Sequence, residues 1–411
     1  MMKRLSLIPL AILLLLAACQ SQTAPTEQPT APPGTFQPAL RDQPTLPPPV
    51  WTEGGAQITV ANAPQLAYLG RLDALGTPST VFAYSFSPDG TRLAGLNNEQ
   101  LIVWDLITGQ IVFNTARLGA TLVYFSPDKD RVYTLDAQGT IRLVDAETGA
   151  EQETLPGKPD FNAVTAFYAD TGLLALGGLD GQVKVWDVGA RQSLVTIEAH
   201  RLQITALAFS PDGERLATSS DDGALKIWNW RERQVLAEAA SPALRLAFSP
   251  DGAQIAAGEA ERITLWNTAD GTLQRTLTTG PGAVTDVMTY APTAGLLLNG
   301  GAIPAMTLWD TVTGLLVNTL PGVGGDVTTA AFSPNGELLI TATLGRDVSL
   351  WDVNSLREST LTRADLNVGT RQILYADWSP DGFLLAFFDA TGPIHLWGIP
   401  RPPEPTATPT S

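Results

Sequence analysis

The chain is poor in the residues that most often build reactive centres. It has one cysteine, Cys19, and two histidines, His200 and His395, among 411 residues. A single thiol excludes an intramolecular disulfide and a thiolate metal cluster, and two imidazoles leave little for a zinc site or a His-based triad. Positive charge is scarce too: 25 Lys and Arg stand against 41 Asp and Glu, for a formal charge of −16. So acidic a balance argues against nucleic acid as a partner and against a polybasic patch for anionic lipid, since both need a positive field. Hydrophobic residues still make up 44 %, which is ordinary for a folded protein and too many for a disordered one.

The two ends differ in character from the middle. Lys3 and Arg4 precede an apolar run, Leu5 to Leu16, broken only by Ser6 and Pro9. This is the order of a secretory signal, and the run is shorter than the ~20 apolar residues that span a bilayer. It closes in Leu16-Ala17-Ala18-Cys19, which resembles a bacterial lipobox. The resemblance implies that residues 1–18 are a signal peptide, that Cys19 carries a diacylglyceryl group, and that the chain is lipid-anchored on an extracytoplasmic face of a bacterial cell envelope. Residues 20–50 then hold nine prolines with Thr, Gln and Ser, so residues 19–50 read as a disordered stalk that cannot bury enough surface to offset chain entropy. Residues 399–411, with five prolines, read as a disordered tail.

Between the ends one unit recurs: an apolar strand ending in an aromatic, a Ser-Pro-Asp-Gly turn, a small-residue strand, and a strand ending in Trp-Asp. The aromatic is Phe86, Phe125, Phe167, Phe209, Phe248, Tyr290, Phe332 or Trp378. The position of the second signature is Trp104, Val144, Trp186, Trp228, Trp266, Trp309, Trp351 or Trp397, always 18 or 19 residues later. The polar and apolar residues before each Trp alternate with a period of two, as in Val183-Lys184-Val185-Trp186, which predicts strands between packed layers. Pro sets φ in the turn, the Asp carboxylate bonds nearby backbone donors, and Gly supplies positive φ.

At these residues the chain resembles the WD-repeat family over about 80–398, with Trp-Asp at 104–105, 186–187, 309–310 and 351–352. The resemblance implies an all-β fold of four-stranded blades, each of ~40–45 residues. Eight units predict a single eight-bladed β-propeller over 51–398, the alternative being seven blades plus an irregular unit. The last unit lacks an outermost strand, and the segment Leu66–Leu72 is placed to supply it and close the ring. His200, Thr218, Asp222 and Trp228 occupy the family's structural hydrogen-bond tetrad. No other unit has the whole set, so the other blades are expected to rely mostly on apolar packing.

No catalytic constellation is legible, and neither histidine has an evident Ser or Cys partner. His395 falls at a position that is mostly polar in the other units and reads as strand surface. The Asp of each turn lies in a separate blade, whereas Ca²⁺ needs six to eight oxygens around one point. No cofactor or metal is therefore expected. Arg245 and Asp286 stand out as charges at normally apolar or small positions in neighbouring blades and are expected to form a partly buried interblade pair. Arg117, Arg201 and Arg371, in equivalent loops, are candidates for a binding rim for an acidic partner. The expected function is that of a non-enzymatic scaffold binding protein partners, with membrane contact through the lipid alone. A propeller enzyme or small-ligand sensor using the central channel, and a cell-envelope assembly factor, are the alternatives.

Overall fold

The computed structural model describes residues 55–400, apart from 74–79, 117, 159, 280–286, 294, 301–305, 321–326, 344–347, 358–362 and 367–372. The described chain forms eight antiparallel four-stranded sheets, the blades of one propeller. Blades 1 to 7 are each built from four consecutive strands, for example Ile204–Phe209, Arg215–Ser220, Ala224–Asn229 and Gln234–Ala240 in blade 4. Blade 8 takes three strands from the C-terminal end and its outermost strand, Ala67–Leu72, from the N-terminal end. Register there runs from Ala67 opposite Gly398 to Leu72 opposite Ile394, with a bulge between Tyr68 and Gly70. Eight blades are thus formed, and no irregular unit replaces one.

Local chemistry explains why the chain turns where it does. In blade 4 the Ser210 hydroxyl donates to the Asp212 carboxylate and accepts the Arg215 N–H at 2.9 Å, while Asp212 accepts the Glu214 N–H at 3.0 Å. Gly213 closes this turn at φ 69°, where a side chain would be strained. The Asp of Trp-Asp has the matching role at the next hairpin. Asp105 Oδ1 accepts the N–H groups of Ile107 and Thr108 at 2.9 and 2.7 Å. Both kinds of turn lie at one face of the disc. The turns between second and third strands, and the links between blades, lie at the other.

The core sits between blades, where each packs its apolar residues on the next. Blades 8 and 1 join through Leu93, Trp104, Phe388 and Leu396, all buried, and Tyr84 stacks on Phe388 with ring centroids 4.0 Å apart. The Tyr84 hydroxyl donates to Asp377 Oδ2 at 3.1 Å across this seam. Burial lifts the Asp377 carboxyl above the usual carboxylate range, only partly offset by the Trp378 N–H and Tyr84. The closure has a second fastening that the sequence did not reveal. Ile58, before the closing strand, is fully buried in the cluster of blades 7 and 8, and its N–H donates to Gly382 O at 2.9 Å.

Candidate functional site

On the inter-blade-link face, blade 4 carries a connected polar network. His200 Nδ1 lies 3.1 Å from both Asp222 oxygens, and His200 Nε2 lies 2.7 Å from Thr218 Oγ1. The Trp228 indole donates to the same Thr218 hydroxyl at 3.0 Å. Asp222 also accepts the N–H groups of Arg201 and Ala224, each at 3.0 Å. Burial holds the His200 pKa below its ordinary value, although the Asp222 carboxylate opposes the shift. Burial would raise Asp222, but the N–H groups of Arg201 and Ala224, followed by His200, bring it below the usual range. The pair is therefore a neutral imidazole on an ionised carboxylate.

Carboxylate, imidazole and hydroxyl in this order have the sequence of partners found in a nucleophilic triad. The geometry denies that chemistry. Thr218 is 0 % exposed and its oxygen is already engaged by Trp228, so no substrate atom reaches it. The network instead ties the loop before blade 4 to its second and third strands.

Blades 2, 3, 5, 6 and 7 lack this network but add polar contacts of their own to the apolar packing between blades. In blade 7 Trp351 donates to Thr341 at 3.0 Å, as in blade 4. In blades 5 and 6 the acceptor comes from the third strand: Trp266 donates to Thr264 at 2.9 Å and Trp309 to Thr307 at 3.0 Å. The buried Glu259 of blade 5 accepts Ser241 at 2.8 Å and pairs with Arg262, also at 2.8 Å. Blade 3 replaces the histidine with Lys158, whose Nζ lies 2.8 Å from both oxygens of Asp180. In blade 2 Asp136 pairs with Arg142 at 3.0 Å. In blades 2, 5 and 8 the acid (Asp136, Glu259, Asp389) stands one or two residues upstream of the place that Asp222 holds in blade 4.

The placement of His395 is a correction. It is 3 % exposed rather than a strand surface, because the closing strand lays Tyr68 over it, with ring centroids 5.9 Å apart. Its Nε2 lies 3.4 Å from Asp389 and its Nδ1 3.4 Å from the Tyr68 hydroxyl. Arg245 is exposed, with Nη1 donating to Leu244 O at 3.0 Å. Asp286 lies outside the described residues, as do Arg117, Arg371 and Cys19. Arg201 is exposed at the link before blade 4.

The same face carries an apolar series that sequence periodicity did not find. Leu118, Leu179, Leu202 and Leu244 are each about half exposed, in links or turns of the consecutive blades 2 to 5. Arg201 adjoins Leu202 and Arg245 adjoins Leu244. Among the described residues there is no group of three or more His, Cys, Asp or Glu that could hold a metal, and no helix is long and apolar enough to cross a membrane.

Eight four-stranded blades closed by a strand from the other end of the chain define a β-propeller, and parts of it resemble known repeats. Three stretches, 149–187, 191–229 and 314–352, match the WD domain, G-beta repeat model. The chain is an eight-bladed β-propeller in which these three stretches resemble WD40 repeats. Among curated relatives, rat telomerase protein component 1 is 29 % identical over 56 % of this chain, and bovine transducin beta-like protein 3 is 29 % identical over 53 %. Periodic tryptophan protein 2 of Arabidopsis thaliana is 29 % identical over 47 %. The matched regions span 9 %, 30 % and 22 % of those proteins' own lengths. The C-terminal WD40 domain of Sif2 superposes with a TM-score of 0.64 at 14 % identity, over 82 % of this chain and 99 % of that one. The computationally designed Ika8 protein gives 0.65 at 22 %, over 80 % of this chain and all of that one. These two likenesses bear on the fold alone.

Proposed function

We propose that this protein is a non-enzymatic scaffold that docks a protein partner on the inter-blade-link face of blades 2 to 5. The observation that carries the reading is the series of half-exposed leucines, Leu118, Leu179, Leu202 and Leu244, with Arg201 and Arg245 beside two of them. Exposed apolar side chains on consecutive blades, with guanidinium groups next in sequence to two of them, match the composition of an interface core and its rim. Arg201 and Arg245 would offer charge-assisted hydrogen bonds to partner carboxylates at this rim. The likeness to WD40 repeats supports the same reading by analogy only, since folds do not fix functions.

The finer part of the proposal is the tether. The order Lys3-Arg4, apolar run, Leu16-Ala17-Ala18-Cys19 supports lipid attachment at Cys19, and the proline-rich segment behind it supports a stalk holding the propeller away from a bacterial membrane on its extracytoplasmic side. The two parts are tested separately. Cys19→Ala is expected to move the chain from the membrane to the soluble fraction of fractionated cells; unchanged membrane association would overturn the tether. Chemical cross-linking of the intact chain followed by mass spectrometry is expected to recover a partner at near-equal amounts. Leu202→Asp is expected to reduce that recovery at least about tenfold, the scale of one anchoring side chain. Undiminished recovery would remove the docking face.

A further inference from the structure

The opposite face carries a second site, independent of the first. A groove of about 720 Å³ opens at the seam of blades 5 and 6, between the Ser249-Pro250-Asp251 turn and the hairpin at Thr311 and Val312. Two exposed apolar residues line it: Val312 is 74 % exposed and Leu273 51 %. Val312 has the greatest exposure of any large hydrophobic residue among those described. An exposed aliphatic group of this size costs free energy until something covers it.

The one carboxylate lining the groove, Asp251, is engaged by the Ser249 hydroxyl at 2.6 Å and the Ala253 N–H at 3.0 Å. Arg275 Nη2 donates to Val312 O at 3.1 Å and its Nη1 to Gln274 O at 2.7 Å. Its stem lies over Gly314, where an added Cβ would come within 3.0 Å of Arg275 Cδ. The guanidinium is therefore fixed by backbone carbonyls, and no carboxylate among the described residues lies within ion-pair distance of it, unlike Arg215 or Arg262. Behind it the Tyr290 hydroxyl donates to Gln254 Oε1 at 2.8 Å, and Gln254 Nε2 donates to Gln274 Oε1 at 2.6 Å. This chain of bonds uses the Gln274 carbonyl and leaves its amide N–H groups as donors in the groove. Asn267 likewise spends its carbonyl on the Ala269 N–H. The result is a donor-rich patch around a held cation, bordered by aliphatic side chains.

We propose that this groove binds an extended segment of a partner protein in which aliphatic residues alternate with acidic ones, a carboxylate meeting Arg275 and Gln274 while aliphatic side chains cover Leu273 and Val312. A peptide fits better than a small molecule because the groove is open along the rim and would leave a small ligand largely in water, whereas enclosed pockets bury most of theirs. Complementarity selects the acid: the carbonyls hold the Arg275 guanidinium in place, and a partner carboxylate would supply the ion pair that the described residues do not. With partners on both faces, the propeller would bridge two proteins.

The test uses the purified full chain and labelled nine-residue peptides with two leucines at alternate positions and Asp, Ala or Lys beside them, read by fluorescence anisotropy. The Asp peptides are expected to bind about tenfold more tightly than the Ala peptides, the scale of one charge-assisted hydrogen bond, and the Lys peptides more weakly still. Arg275→Ala is expected to erase the Asp-over-Ala preference, and Val312→Asp to weaken all three. Both sites are exposed, so an unchanged melting temperature shows that the variants fold. Equal binding of Asp and Ala peptides, or binding indifferent to both substitutions, would overturn the proposal. So would a dimer of the chain that Val312→Asp dissolves, because the occupant would then be a second copy.

Discussion

Blades 3 and 4 are neighbours whose second, third and fourth strands match in length and register, yet they fasten their tryptophans differently. In blade 4 the indole N–H, the imidazole and the carboxylate are all connected through Thr218. In blade 3 the position equivalent to Thr218 is Leu176, and the Trp186 Nε1 is a buried donor with no partner. Lys158 stands where His200 stands and reaches Asp180 directly, with its side chain 4 % exposed. The lysines two residues before each tryptophan keep a common role, Lys184 donating to Gly157 O at 3.1 Å and Lys226 to Ala199 O at 3.0 Å. The comparison shows that the blade requires an anchor between its entry loop and its second turn. It does not require a particular residue, nor that the anchor and the indole share one network.

Substitutions at the two anchors separate these roles. The largest effect is expected in blade 3, where Asp180→Ala leaves a buried ammonium without its carboxylate. Urea unfolding should show a loss of about 3 kcal/mol, the lower end for a broken buried pair because Asp180 is one-third exposed. Asp222→Ala in blade 4 should cost less, about 2 kcal/mol, since a neutral imidazole and two backbone N–H groups lose an acceptor. A larger loss there than in blade 3 would reverse the assignment of charges. Thr218→Val keeps the shape and removes the shared hydroxyl, for an expected loss of about 1–2 kcal/mol. Trp228→Phe should then cost about 1 kcal/mol more than Trp186→Phe, because only the first removes a made hydrogen bond. Equal costs would mean that Trp186 has an acceptor in solution.

The two anchors also differ in their response to pH. A histidine whose folded pKa is lowered binds fewer protons in the native state, so its contribution is present at neutral pH. It is lost as pH falls from the ordinary histidine value of ~6.5 through the lowered one. Wild-type stability should decline over that window, and His200→Gln should flatten the decline. Asp377, at the seam of blades 8 and 1, has the opposite sign. Its raised pKa favours the protonated native state, so stability is lost as pH rises from ~3.9 through the raised value. Asp377→Asn should remove that loss, which denaturant midpoints measured across the range would show.

Much of the architecture was legible because the blade repeats its signals in sequence. The turn Ser-Pro-Asp-Gly and the Trp-Asp pair each make local hydrogen bonds, so their positions depend on neighbours in the chain and return at fixed spacing. The closing strand was legible from the missing partner of Trp397. What escaped was set by contacts between distant segments. Ile58 is one apolar residue in a polar stretch, and only the fold buries it in blades 7 and 8. His395 sits at a position that is polar elsewhere, and Tyr68 from the other end of the described chain covers it. Glu259 reaches Ser241 of its entry loop from a shifted position, while Asp136 and Asp389, also shifted, pair with Arg142 and His395 of their third strands. The exposed leucines of the candidate face belong to links with no periodicity, so nothing in the sequence set them apart from core residues.

The central claim is that a protein partner covers the link face of blades 2 to 5. A photo-cross-linking amino acid placed singly at Leu118, Leu179, Leu202 and Leu244 of the intact chain, in the cells that make it, tests this directly. Glu147, exposed on the opposite face away from the groove, is the control. The account predicts one common adduct from the leucine positions and none from Glu147. Adducts absent from all four leucines, at expression equal to the control, would contradict it.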